Sequence, residues 1–148
     1  NIINFGITMI INVQEKSNKF YLPRNIKYFH FPIRPGNPPI LEDMVEIYNL
    51  VINEYENGGK IYIHCNGGHG RAGTVGAYIL GKLYNWDVYE SVSHIEKCRN
   101  SRLDKSRNFI PTPEMDIQID FLFKNLGLKD GNILPDRSDK TWLKMLGR

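Results

Sequence analysis

β-Branched and apolar residues crowd positions 7–13, ITMIINV, and predict a buried strand. Polar, irregular sequence follows over 14–25, and the alternation of 26–31, IKYFHF, predicts a second strand. Pro32, Pro35, Gly36, Pro38 and Pro39 then make a stiff loop that can be neither helix nor central strand. From Ile40 to Asn57 apolar residues recur at helical spacing (Leu41, Met44, Val45, Ile47, Tyr48, Val51, Ile52, Tyr55), and Gly58-Gly59 stops that helix. A short third strand is expected over 60–64, KIYIH, and a buried helix over 72–85. Asp87-x-x-Glu90 has the form of a capping box opening a helix that runs to about Arg99. Thr112-Pro113 reads as the N-cap and first residue of a last helix ending near Gly127. Beyond it the chain is polar apart from Trp142, Leu143, Met145 and Leu146, which can dock back as a short amphipathic turn. Strands alternating with helices indicate an α/β fold: a central, mostly parallel sheet flanked by helices.

A length of 148 residues favours one domain, 1–148, long enough to bury a core without staples. The chain starts at Asn1 and enters an apolar segment almost at once, so an element before it is expected to be trimmed or missing. The net charge of +3 is a mild basic bias, compatible with an anionic substrate and too small to argue for nucleic acid. Two cysteines, Cys65 and Cys98, are too few for a disulfide framework and suit reduced thiols in a cytoplasmic protein. Cys98, on a helix well past the other, is expected to be a core thiol. No apolar run approaches a membrane span, and no signal peptide is evident. The sequence leaves the oligomeric state open.

Chemistry concentrates in IHCNGGHGRAGT, residues 63–74. Cys65 precedes Arg71 by five intervening residues, in a loop between a strand and a helix. Backbone N–H groups of Asn66, Gly67, Gly68, His69, Gly70 and Arg71 can turn inward as a nest for phosphate oxygens. Glycines let the backbone approach closely, and the following helix adds its positive end. Arg71 can clamp two oxygens bidentately. Such a field of donors favours a thiolate on Cys65, which can attack phosphorus and form a phosphocysteine.

Rival readings of the loop are weaker. Gly68-x-Gly70-x-x-Gly73 has the form of a dinucleotide fingerprint, and Asp87 lies about twenty residues beyond it. That acid should end a second strand, whereas here it caps a helix. A Walker A loop fails because Thr74 stands where a lysine is needed. A glycine-rich turn around a buried cysteine is the bland alternative.

HCNGGHGR resembles the HCx5R signature of the cysteine-dependent protein tyrosine and dual-specificity phosphatase superfamily at His64, Cys65 and Arg71. GITMIINV resembles that family's early strand, YFHFPIRPGNPP the loop that carries its general acid, and TPEMDIQIDFL a late helix carrying a glutamine, here Gln118. The resemblance implies an atypical dual-specificity-like member with the phosphatase fold. It implies Cys65 as nucleophile and Arg71 as the group that binds the phosphoryl and stabilises its transition state. His64 would sit behind the cysteine and help set the loop. Gln118 would have a supporting role, although a solvated helix glutamine is an equal alternative. No cofactor and no metal are implied.

Two positions depart from the family pattern. The residue after the arginine is usually Ser or Thr, whose hydroxyl assists departure of the cysteine sulfur. Here it is Ala72; Thr74, two residues on, is the hydroxyl that can compensate in a supporting role, although it points about 200° away from Ala72 around the helix. Turnover is then expected to be limited by the second step. The family's general acid is an aspartate in F-P-I-x-D-G, and here FPIRPG puts Pro35 in its place. A positioned acid is worth ~10²–10⁴ in rate, or about 3–5 kcal/mol of barrier. Glu42, Asp43 and His69 are the replacements within reach of the sequence argument, with surface positions (Glu42, Asp43) and a pocket wall (His69) as their plainer readings. Asn66 and His69 also take the places where the family's phosphoinositide phosphatases often carry lysines.

Three functions follow from these residues. The first is a phosphatase acting on a phosphorylated protein substrate, of tyrosine or dual specificity. The second is an anhydride or lipid phosphatase, such as an RNA 5′-triphosphatase or a phosphoinositide phosphatase. There the missing acid fits the leaving group, but no stripe of aromatic and basic residues marks a nucleic-acid surface. The third is a phosphate-binding pseudophosphatase, supported by Pro35 and Ala72 and opposed by retention of Cys65.

Overall fold

The computed structural model describes residues 2–17, 21–103, 106, 110–129 and 142–146. A 3-10 turn over Ile2–Phe5 leads into β1 (Met9–Asn12). Then come β2 (Lys27–His30), α1 (Leu41–Glu56), β3 (Ile61–His64), α2 (Arg71–Tyr84), α3 (Val88–Asn100), α4 (Asp116–Leu126) and the single turn α5 (Trp142–Met145). The described strands form one parallel sheet in the order β2-β1-β3, with Ile11 paired to Phe29 on one side and to Ile63 on the other. All four residues of β1 are buried, as expected of a central parallel strand covered on both faces. Each strand is shorter than its apolar run, although backbone bonds such as Thr8 N–H to the Lys60 carbonyl and Phe31 N–H to the Asn12 carbonyl carry the contact a residue further. This α/β arrangement is the one expected from the sequence.

The main core lies on one face of the sheet, the face that carries Met9, Ile11 and Val13 with Phe29 and Ile63 beside them. Met9, Ile11 and Val13 meet Met44, Ile47 and Val51 of α1 and Val75, Ala77 and Ile79 of α2. Helix α2 packs against α3 and α4, whose Val88, Val92, Ile119 and Leu122 are fully buried. The edge of β2 is tied to α1 by an ion pair, Lys27 Nζ to Glu54 Oε2 at 2.6 Å. That bond, with a second from Thr8, holds the Glu54 carboxyl below its ordinary range against the opposing effect of burial.

The helix ends follow local chemistry in two cases and depart from it in a third. Asn85, in the left-handed region at φ 53°, closes α2. The Asp87–Glu90 capping box opens α3: Glu90 N–H donates to Asp87 Oδ1 and Asp87 N–H to Glu90 Oε2, each at 3.0 Å. The last long helix does not start at Thr112-Pro113 as expected, but at Asp116. Thr112 is taken up by packing: it is 1% exposed, and its Cγ2 fills the space that a Cβ on Gly73 of α2 would need. The first turn is instead capped from inside, because Gln118 Oε1 accepts the N–H groups of Glu114 and Met115, both at 3.1 Å. At the C-terminal end Leu146 is buried in the core and Leu143 packs against it, as the amphipathic turn required. The Trp142 and Met145 side chains, and the segment 130–141, lie outside the described residues.

Candidate active site

β3 ends at His64 and α2 begins at Arg71, so the six residues between them are held at the C-terminal edge of the sheet. This is where open parallel sheets bind ligands. Cys65 follows the last residue of the strand and is 8% exposed. Its Sγ accepts a hydrogen bond from the Gly68 N–H at 3.2 Å, so the loop folds back over the sulfur. Gly68 makes that possible with φ +72°, a conformation costly for a residue with a Cβ. The space its side chain would fill belongs to Arg102, whose Nη1 lies 3.3 Å from the built Cβ.

Arg71, the first residue of α2, sends Nη1 to the Ile33 carbonyl at 3.1 Å. The loop's arginine is thereby tied to the proline-rich segment. Pro35, Gly36, Cys65, Gly67, His69, Gly70, Arg71 and Glu114 together line a small mouth of about 60 Å³. His69 is 6% exposed and forms part of its wall. Asn66 is exposed on the far side of the loop and lines a second, larger cavity. That cavity, of about 550 Å³, lies against Tyr62, His64, Cys65, Ala72, Cys98, Arg99, Arg102 and Thr112. Arg99 is nearly buried there and donates to the Ile110 carbonyl.

His64 stacks on Tyr62, ring centroids 5.4 Å apart. Burial holds its ring below the usual histidine range, and a hydrogen bond with the Cys65 backbone opposes that shift. Gln118 is not a solvated helix glutamine: it is fully enclosed, its Nε2 donates to the Asn37 carbonyl at 3.2 Å, and a Cβ on Gly70 would lie 2.8 Å from that nitrogen. It therefore braces the loop at 32–39, the start of α4 and the back of the phosphate loop against one another.

Several expectations need correcting. The Thr74 hydroxyl donates to the Gly70 carbonyl at 2.7 Å, the usual back-bond of a helical threonine, and does not supply a hydroxyl to Cys65. Cys98 is exposed, not a core thiol, because its place on α3 faces the larger cavity. Glu42 and Asp43 lie in the first turn of α1 and do not line the mouth. The carboxylate that does is Glu114, which sequence reasoning passed over. Its only signal was its place four residues before Gln118.

A strand, a loop bearing cysteine and arginine, and a helix, set on a parallel sheet, define a phosphatase-type α/β domain. The family described as Swiss Army Knife protein, DSP-PTPase phosphatase domain (PTP-SAK), matches residues 1–108, and the chain belongs to it. Among curated relatives, the chain is 24% identical over 106 residues to protein phosphatase Slingshot of Drosophila melanogaster, covering 71% of this chain and 10% of that one. It is 30% identical over 82 residues to putative tyrosine phosphatase 197R of Invertebrate iridescent virus 6, covering 53% of this chain and 31% of the viral one. The chain thus spans about a third or less of the length of these two relatives. The crystal structure of Tk-PTP in its active form superposes with a TM-score of 0.68 at 23% identity, over 85% of this chain and 82% of that one. This last likeness is one of fold.

Proposed function

We propose that this chain is a phosphoprotein phosphatase, of tyrosine or dual specificity, working through a phosphocysteine at Cys65. The observation that carries the reading is the Gly68 N–H aimed at Cys65 Sγ in a mouth shared with Arg71. The nucleophile is the cysteine in its thiolate form. The thiolate attacks phosphorus opposite the leaving oxygen, and the phosphoryl group passes to sulfur. Arg71 spends one N–H on Ile33, and its remaining donors can take phosphoryl oxygens in a bidentate fork. The N-terminal end of α2 adds favourable field for the developing charge. Water then attacks the phosphocysteine and releases inorganic phosphate and the thiolate.

Hydrolysis of a fluorogenic aryl phosphate between about pH 5 and 8 tests this reading beside Cys65→Ser. An aryl leaving group asks little of a general acid, so Cys65 and Arg71 are assayed by themselves. The expected result is a metal-independent activity that vanadate blocks and Cys65→Ser abolishes. An absolute requirement for Mg²⁺, or full activity in Cys65→Ser, would sink it. Binding of phosphate or vanadate with no turnover would favour a phosphate receptor in its place.

A further inference from the structure

We propose that Glu114 is the general acid of this site. The assignment rests on the phosphatase reading above. Departure of an alkoxide or a basic aryl oxide from phosphorus needs a proton on the leaving oxygen. That oxygen leaves on the side opposite Cys65 Sγ, toward the opening of the mouth. Among the described residues lining the mouth, Glu114 brings the only carboxyl group. Cys65 is committed as nucleophile, and Pro35 has no proton to give. His69 is enclosed in the wall, whereas Glu114 is exposed at the rim, where a departing group passes.

Glu114 is also held in place. A Cβ built on Gly70 would lie 3.2 Å from Glu114 Oε2, so the carboxylate stands directly beside the phosphate loop at Gly70. The Glu114 N–H is fixed by Gln118 Oε1, and the other end of that amide holds the Asn37 carbonyl. Met115 closes against the proline-rich loop, with its Cγ 3.6 Å from where a Cβ of Gly36 would be. Among the described residues no ion pair occupies the carboxylate. In the first step the P–O bond breaks, the leaving oxygen takes the Glu114 proton, and the alcohol departs. In the second, the Glu114 carboxylate takes a proton from the attacking water as the S–P bond breaks. The carboxylic acid is restored and phosphate is released.

The test compares the full chain with Glu114→Gln on two esters, a fluorinated coumarin phosphate and phenyl phosphate. Their leaving groups differ in basicity. Loss of a general acid should lower kcat on phenyl phosphate by ~10²-fold or more, and on the coumarin ester only a few-fold. Vanadate inhibition should be unchanged, which shows the loop intact. Glu114→Asp, with the acid on a shorter arm, should recover part of the phenyl phosphate rate. Equal losses on both esters, or no loss on either, in a protein whose wild type is active would overturn the role of Glu114 alone. A wild type inactive on both esters would remove the hydrolytic reading, and the role of Glu114 with it.

Discussion

Replacing Gln118 by methionine should destabilise the protein by about 3 kcal/mol. The side chain is fully buried and makes three hydrogen bonds, two accepted from Glu114 and Met115 and one donated to Asn37. Methionine nearly conserves volume, so the packing term is small and the polar term dominates. Each bond is worth about 1 kcal/mol net, and any partner left dry would raise the cost by a further 1–3 kcal/mol. Unfolding entropy of about 2.1 cal/mol/K per residue turns 3 kcal/mol into a fall in Tm of about 10 °C for a chain of this length. Gln118→Ala should fall further, because it adds a cavity to the same losses. Differential scanning calorimetry of both variants beside wild type reads the shifts. Gln118 also positions Glu114, so the methionine variant should lose kcat on phenyl phosphate more than on an activated coumarin ester. A Tm within about 2 °C of wild type in Gln118→Met would refute the reasoning. It would mean that water satisfies all three partners and that the glutamine braces nothing.

Two further outcomes follow from single contacts. Ala72→Ser would place a hydroxyl beside Cys65, so steady-state turnover should rise and any pre-steady-state burst should shrink. An unchanged burst in rapid-quench kinetics would show that the second step is not limited by sulfur departure. Glu54 is held below its ordinary range chiefly by Lys27, so the native state binds its proton less readily than the unfolded chain. The stability it contributes is therefore full above the unfolded value of 4.5 and is lost as pH falls through the lower native value. Lys27 is 59% exposed, so the pair is worth under about 1 kcal/mol. Urea unfolding of Lys27→Met should differ from wild type near about pH 7 and converge with it in acid, once Glu54 is protonated in the native state too, and a difference independent of pH would contradict the pair.

The strand-loop-helix unit was legible because its chemistry and its geometry are both local. Cys65, Gly68 and Arg71 lie within one turn of chain, and the same glycines that shape the loop signal it. The continuous apolar run at 7–13 marked the central strand for an equally direct reason, burial on both faces. Thr112-Pro113 misled because a capping residue and a packing residue look alike in sequence. Thr112 is spent against Gly73, and the cap comes from Gln118 inside the helix. Thr74 misled in the opposite way: its helical angle was read correctly, but its hydroxyl is spent on the Gly70 carbonyl, one turn back at the N-cap of α2. Glu114 was illegible because its relation to Pro35 and Arg71 exists only after α4 folds back on the loop. No period or motif links residues so far apart in the chain.

The central claim is that Cys65 carries the phosphoryl group, and the most direct measurement is to catch it there. Wild-type protein turning over an aryl phosphate is quenched in acid within milliseconds, digested, and read by mass spectrometry for the peptide containing Cys65. Phosphate on the Cys65 sulfur, absent in Cys65→Ser, is the expected result. Hydrolysis that proceeds with no phosphopeptide, or with the phosphate on His69, would contradict it.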